Sequence, residues 1–178
     1  QIHALVDAAG LTPGTYVAFE PNAAHFASLT MAVNALGLKA VRLLPDPFEA
    51  HVSLDARFDF VLFSHSLYWM QHPPEVFHHA VKALKPGGVA MGILQGPYGV
   101  HTLLHLFNSR FERLTPILQN NAYSSYELML GLRGRGLRPE CRMMPTPLDM
   151  TGLFEPERHK ELSELLSFCL QVEFETLD

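Results

Sequence analysis

The chain has 178 residues, 48% of them apolar and 17% charged, with a formal net charge of −5. That is the length of one ordinary domain, and its composition supports a single core and excludes disorder. The acidic balance offers no basic footprint for nucleic acid, and no apolar run is long enough to span a bilayer.

Ile2, Leu5, Val6 and Ala9 share one face, which predicts a helix over 1–9 ended by Gly10. Tyr16-Val17-Ala18-Phe19 is a short apolar run of the buried-strand type, predicting a strand near 15–20. Asn22 is a helix cap, and Phe26, Leu29, Val33 and Leu36 form one stripe, so a helix is expected over 22–36, closed by Gly37. A second strand is expected near 39–44. It runs into Pro45-Asp46-Pro47-Phe48, where the prolines bar both ladder and helix.

Phe58 to Ser64 is the most continuous apolar strand and is expected to be among the most buried. Pro73-Pro74-Glu75 opens a helix over 73–84, with proline tolerated in its first turn and Glu75 favourable to its dipole. Val76, Phe77, Ala80, Val81 and Leu84 form its apolar stripe. Lys85-Pro86-Gly87-Gly88 reads as a turn, followed by a strand near 88–94. Helices are expected over 100–108, 124–135 and 157–170, and a strand over Arg138 to Met144 that would bury the Cys141 thiol. Cys141 and Cys169 are the only cysteines. They lie far apart in sequence, which fits free thiols in a reducing, cytoplasmic setting.

Strands alternating with helices imply crossover connections and a mostly parallel α/β sheet, here as one domain over 1–178. Ligands of such sheets bind beyond the carboxyl ends of the strands. Glu20 ends the first strand, where an acid can accept bonds from both hydroxyls of a ribose. Asp46 and Phe48 follow the second, where an acid and an aromatic suit an adenine amine and ring. The alternatives are a solvated acid for Glu20, a turn former for Asp46 and core for Phe48. Ser64, His65 and Tyr68 follow the third strand. His65 is the candidate for orienting or deprotonating a substrate, or else a structural histidine at a loop start.

Ten histidines raise the question of a metal. His101 and His105 stand at i and i+4, which places two ligands on one helix face. No glutamate lies between them in the zinc-protease position, and the sequence offers no evident third ligand. Packed or exposed histidines are therefore the expectation, with no metal site. Arg133, Arg135, Arg138 and Arg142 read as a solvated face.

Phe19-Glu20-Pro21-Asn22, the Phe58–Phe63 strand and Leu84-Lys85-Pro86-Gly87-Gly88 together resemble class I S-adenosylmethionine-dependent methyltransferases, over most of residues 1–145. Within that superfamily the chain is similar to histamine N-methyltransferase-like enzymes. The similar stretches are Glu20-Pro21, Phe58-Asp59-Phe60 with Leu67-Tyr68-Trp69, Asn108-Ser109-Arg110-Phe111, and Leu137-Arg138-Pro139-Glu140-Cys141. The resemblance implies a Rossmann-like sheet with helices on both faces, S-adenosylmethionine as cofactor and a small-molecule methyl acceptor, an amine or imidazole nitrogen. It assigns Glu20 to the cofactor ribose, His25 to a second cofactor contact and Ser64 to a position beside the cofactor. It places His65 and Tyr68 on the substrate, with Trp69, Val100, Leu104 and Phe111 as pocket walls. Trp69, Val100 and Leu104 stand where those relatives carry other aromatics, so the walls differ.

The family's glycine-rich cofactor loop and central strand would precede Gln1, and its last antiparallel strand would follow Asp178. The expectation is therefore an α/β domain incomplete at both ends, a fragment that alone binds S-adenosylmethionine poorly and aggregates through open strand edges. Two rivals share these features. One is a non-catalytic methyltransferase-like module that binds a partner. The other is a nicotinamide-dependent oxidoreductase, since an acid on a ribose is common to both folds.

Overall fold

The computed structural model describes residues 14–38, 40–110 and 123–170, with the side chains of 108–110 outside that description. The helix expected over 1–9 and the wall residue Phe111 lie outside the described residues. The chain divides into two compact units, Gln1–Val52 and Ser53–Asp178.

The first unit is a βαβ crossover. β1 (Thr15–Phe19) pairs in parallel with β2 (Ala40–Leu44), Thr15 opposite Ala40 and Phe19 opposite Leu44. The connecting helix α1 (Ala23–Ala35) starts where Asn22 turns its side-chain oxygen onto the N–H groups of Ala24 and His25. Those are two of the donors that a helix start leaves without partners. The expected stripe is also the covered face: Val33 is buried, and Phe26, Leu29 and Leu36 are half-buried. Phe48 folds back onto β1, its ring centroid 5.1 Å from that of Phe19.

The second unit repeats the motif. β3 (Phe58–Ser64) pairs in parallel with β4 (Leu84–Ile93), and α2 (Pro73–Lys82) connects them. α2 opens on two prolines, carries Glu75 in its first turn and Lys82 in its last, and buries Pro73, Val76, Phe77 and Ala80. Its core partner is β3, with the rings of Phe63 and Phe77 5.4 Å apart.

The Lys-Pro-Gly-Gly turn lies inside β4 as an irregularity of the ladder. Phe58 faces Leu84, then Phe60 faces Val89, so Lys85 to Gly88 bulge opposite Asp59. Each glycine has its own reason. Gly87 adopts φ +80°, a region that side chains disfavour, and a Cβ on Gly88 would sit 3.0 Å from the Phe58 carbonyl oxygen.

Three helices complete the unit: α3 (Val100–Arg110), α4 (Ser125–Gly134) and α5 (His159–Leu170). α3 packs on α5 and α4 on α2. The α4–α2 approach is close enough that a Cβ on Gly131 would lie 2.5 Å from the Pro74 ring. A capping box starts α4: Ser124 caps the helix while Glu127 reaches back to the Ser124 N–H at 2.9 Å.

Three expectations change. The four strands form two parallel pairs, not one sheet. β1 and β2 belong to the first unit and β3 and β4 to the second, and each pair's ladder lies within its own unit. β3 is less buried than its apolar run suggests: Phe60 is 42% exposed, and on the paired β4 Val89 and Met91 are 58% and 41% exposed. A parallel strand is buried throughout only where both faces are covered. Residues 138–144 form no strand; they find no ladder partner, and Cys141 is exposed while Cys169 is buried. The architecture is nonetheless α/β and Rossmann-like, and no closed barrel occurs among the described residues. No helix among the described residues is long and apolar enough to cross a membrane.

Candidate active site

In the first unit the candidate residues gather where β1 and β2 end. The Glu20 N–H donates to the Leu44 carbonyl at 3.0 Å, extending the ladder by one bond. This brings the half-buried Glu20 carboxylate out at the carboxyl end of the sheet. Glu20 Oε1 accepts the Asn22 N–H at 2.9 Å. One backbone donor fixes the side chain, and Oε2 and the remaining lone pairs stay available to hydroxyl donors. His25 is exposed on the first turn of α1, Asp46 is exposed in the loop after β2, and Phe48 is buried.

In the second unit the candidate residues lie at the end of β3 and in the loop that follows it. Ser64 ends the strand and is half-buried. His65 donates its N–H to the Ile93 carbonyl at 2.9 Å, then turns at φ +50°. It is the only non-glycine residue with positive φ among those described. A bulky residue held there stores strain of order 1–3 kcal/mol, of the kind that collects at functional sites.

A single turn of 3₁₀ helix follows, Leu67–Trp69. Leu67 is 0% exposed and anchors the loop. His65, Tyr68 and Trp69 then present an aromatic run, with ring centroids 6.5 Å apart for the first pair and 5.7 Å for the second. Burial pushes the Tyr68 hydroxyl above its ordinary pKa, so it serves as a neutral hydrogen-bonding group.

The proposed walls on α3 separate. Val100 is exposed and Leu104 is buried. A shallow depression lined by Arg133, Gly136, Leu137, Arg138 and Pro139 involves none of the candidate residues, and the four arginines are solvated as expected.

One cluster was not legible as a site. Gln95, just past β4, accepts the Ser125 N–H at 3.0 Å and donates to the Tyr123 carbonyl at 3.2 Å. These bonds fix the start of α4 beside the end of β4. Glu127 projects from that start toward α3, where its Oε1 lies 3.9 Å from His101 Nε2. Burial raises the Glu127 pKa, but bonds from Ser124 and the His101 charge more than offset this and hold the carboxyl below its usual range. Tyr123 is pushed up to about 12, first by burial and then by the Glu127 charge, with Arg135 opposing. The signal was half present, in the His101/His105 spacing and in Ser124-x-x-Glu127. Their meeting is a tertiary fact that no spacing encodes.

A sequence model of the family described as "Methyltransferase domain" matches residues 4–142. The chain belongs to this methyltransferase family. No curated protein gives a significant match. The match spans both βαβ crossovers and every strand-end residue considered above, from Glu20 to Tyr68. Membership in the class I methyltransferases supports methyl transfer as the general chemistry and weighs against the nicotinamide-dependent alternative.

Proposed function

We propose that the protein transfers a methyl group from S-adenosylmethionine to a nitrogen of a small amine or imidazole, in the manner of histamine N-methyltransferase-like enzymes. The observation that carries the reading is Glu20. It is a half-buried carboxylate at the end of a parallel strand, steadied by one backbone N–H and with acceptor capacity to spare. That acceptor arrangement fits the hydroxyl donors of a ribose diol, and an acid at this strand end is where the family resemblance puts the ribose contact. Asp46, His25 and Phe48 are the accompanying cofactor residues of the first unit.

When bound, S-adenosylmethionine would supply an electrophilic methyl on a sulfonium: the acceptor's lone pair would bond to the methyl carbon in line as the C–S bond breaks and the neutral thioether leaves. The chain's part is to position the acceptor and take its proton. Nitrogen attacks only when neutral, and the methylated nitrogen sheds a proton. His65 stands exposed on a strained turn next to Tyr68 and is suited to receive it, with the Tyr68 hydroxyl orienting the acceptor. Trp69 adds an aromatic face for a cationic or imidazole ring. The free thiols Cys141 and Cys169 agree with a cytoplasmic protein.

The test is transfer of an isotopically labelled methyl from S-adenosylmethionine to a panel of amines and imidazoles by the intact protein. His65→Ala should lower turnover by about 10²–10⁴-fold, the usual contribution of a general base. Tyr68→Phe should raise the Michaelis constant more than it lowers turnover. Unchanged kinetics in both variants would remove this loop from the acceptor site. Absence of transfer to every nitrogen acceptor would overturn the substrate class.

A further inference from the structure

α3 holds His101 and His105 one turn apart, their rings edge to face with centroids 4.4 Å apart. α4 adds Glu127, and one ligating atom from each of the three residues lies within 4.8 Å of the other two. His101 makes this more than a coincidence of surface groups. It is 5% exposed, and its Nε2 is buried with no hydrogen-bond partner. Glu127 Oε1, at 3.9 Å, is beyond hydrogen-bonding reach. A buried nitrogen left in this way is uncommon in folded proteins and calls for a partner.

We propose that His101, His105 and Glu127 form a binding site for a divalent metal ion, zinc above all. Two imidazoles and a carboxylate are the donor set of a borderline-soft ion, and three protein ligands leave a fourth position open to water or a small ligand. The carboxylate is already oriented. Its Oε2 is held by the N–H and hydroxyl of Ser124, which leaves Oε1 facing His101. This is the outer-shell support that metal-ligating carboxylates ordinarily have. Tetrahedral zinc takes ligand atoms about 2.0–2.2 Å from the metal. The contraction needed falls mainly to His105, whose side chain is exposed. None of the residues assigned to the cofactor or the acceptor takes part, so the site stands independently of the methyl-transfer reading.

The experiment is calorimetric titration of the metal-free intact protein with Zn²⁺, together with the visible absorption of its Co²⁺ form. The expected result is one ion per chain, with Co²⁺ giving the intense bands of a low-coordinate site, bleached by Zn²⁺. His105→Ala and Glu127→Gln should each weaken zinc binding by at least about tenfold. Both variants should keep the far-ultraviolet circular dichroism of the parent, because His105 is exposed and a glutamine at 127 preserves the capping box. Failure of the folded parent to bind Zn²⁺ would overturn the proposal. So would parental affinity in either variant, which would place the ion on other histidines.

Discussion

Single residues carry constraints that can be measured one at a time. Leu67 anchors the turn that presents Tyr68 and Trp69, and it is fully buried. Leu67→Ala should cost about 2–5 kcal/mol of stability by denaturant melt, the range for a buried leucine cavity. Tyr123 predicts an alkaline effect. Its folded pKa, about 12, exceeds the ordinary tyrosine value. The unfolded chain therefore ionises first, and the contribution is complete below pH ~10. It is lost progressively as pH rises toward 12. Tyr123→Phe should flatten the alkaline fall in stability, and an unchanged fall would show that other groups set it.

At the scale of elements, local signals and tertiary placement divided the work. Asn22, the paired prolines before α2 and Gly37 mark helix boundaries by local chemistry, and the helices lie within a few residues of where those signals put them. The strand expected over 138–144 failed because a strand exists only with a partner, and alternation in sequence cannot supply one. The exposure of Phe60 went unread for a related reason: an apolar run says nothing about whether both faces are covered. The positions of Glu20, Asp46, Ser64 and His65 at or just past strand ends were legible because the strands were. Glu127 was not, because its relation to His101 depends on Gln95 holding two segments together.

Two further predictions belong to elements. A Cβ on Gly131 would press into the Pro74 ring of α2. Gly131→Ala should therefore destabilise by about 1–3 kcal/mol although alanine is the better helix former. A stabilised variant would show that the two helices are free to part. Ser124→Ala removes the α4 cap and should cost about 1 kcal/mol. It should also blunt acid sensitivity. Glu127 has a depressed folded pKa, so its contribution is present above the unfolded carboxylate pKa and is lost as pH falls through the folded one. Melts from pH 7 to 3 in parent and variant compare the two slopes directly.

For the whole molecule, the family match and the repeated βαβ pattern agree on a methyltransferase domain. Each unit carries its candidate chemistry at the carboxyl end of its own parallel pair, as the general rule for open α/β sheets requires. In the proposed function this chemistry begins with S-adenosylmethionine, held in part by Glu20. The direct measurement is calorimetric titration of the intact protein with S-adenosylmethionine, in parent and in Glu20→Gln. Stoichiometric binding by the parent is expected. The variant should lose about 1.5–3 kcal/mol of affinity, the worth of a charged hydrogen bond to a hydroxyl. Equal affinity in the two proteins would take Glu20 out of the site, and no binding by the folded parent would contradict the claim itself.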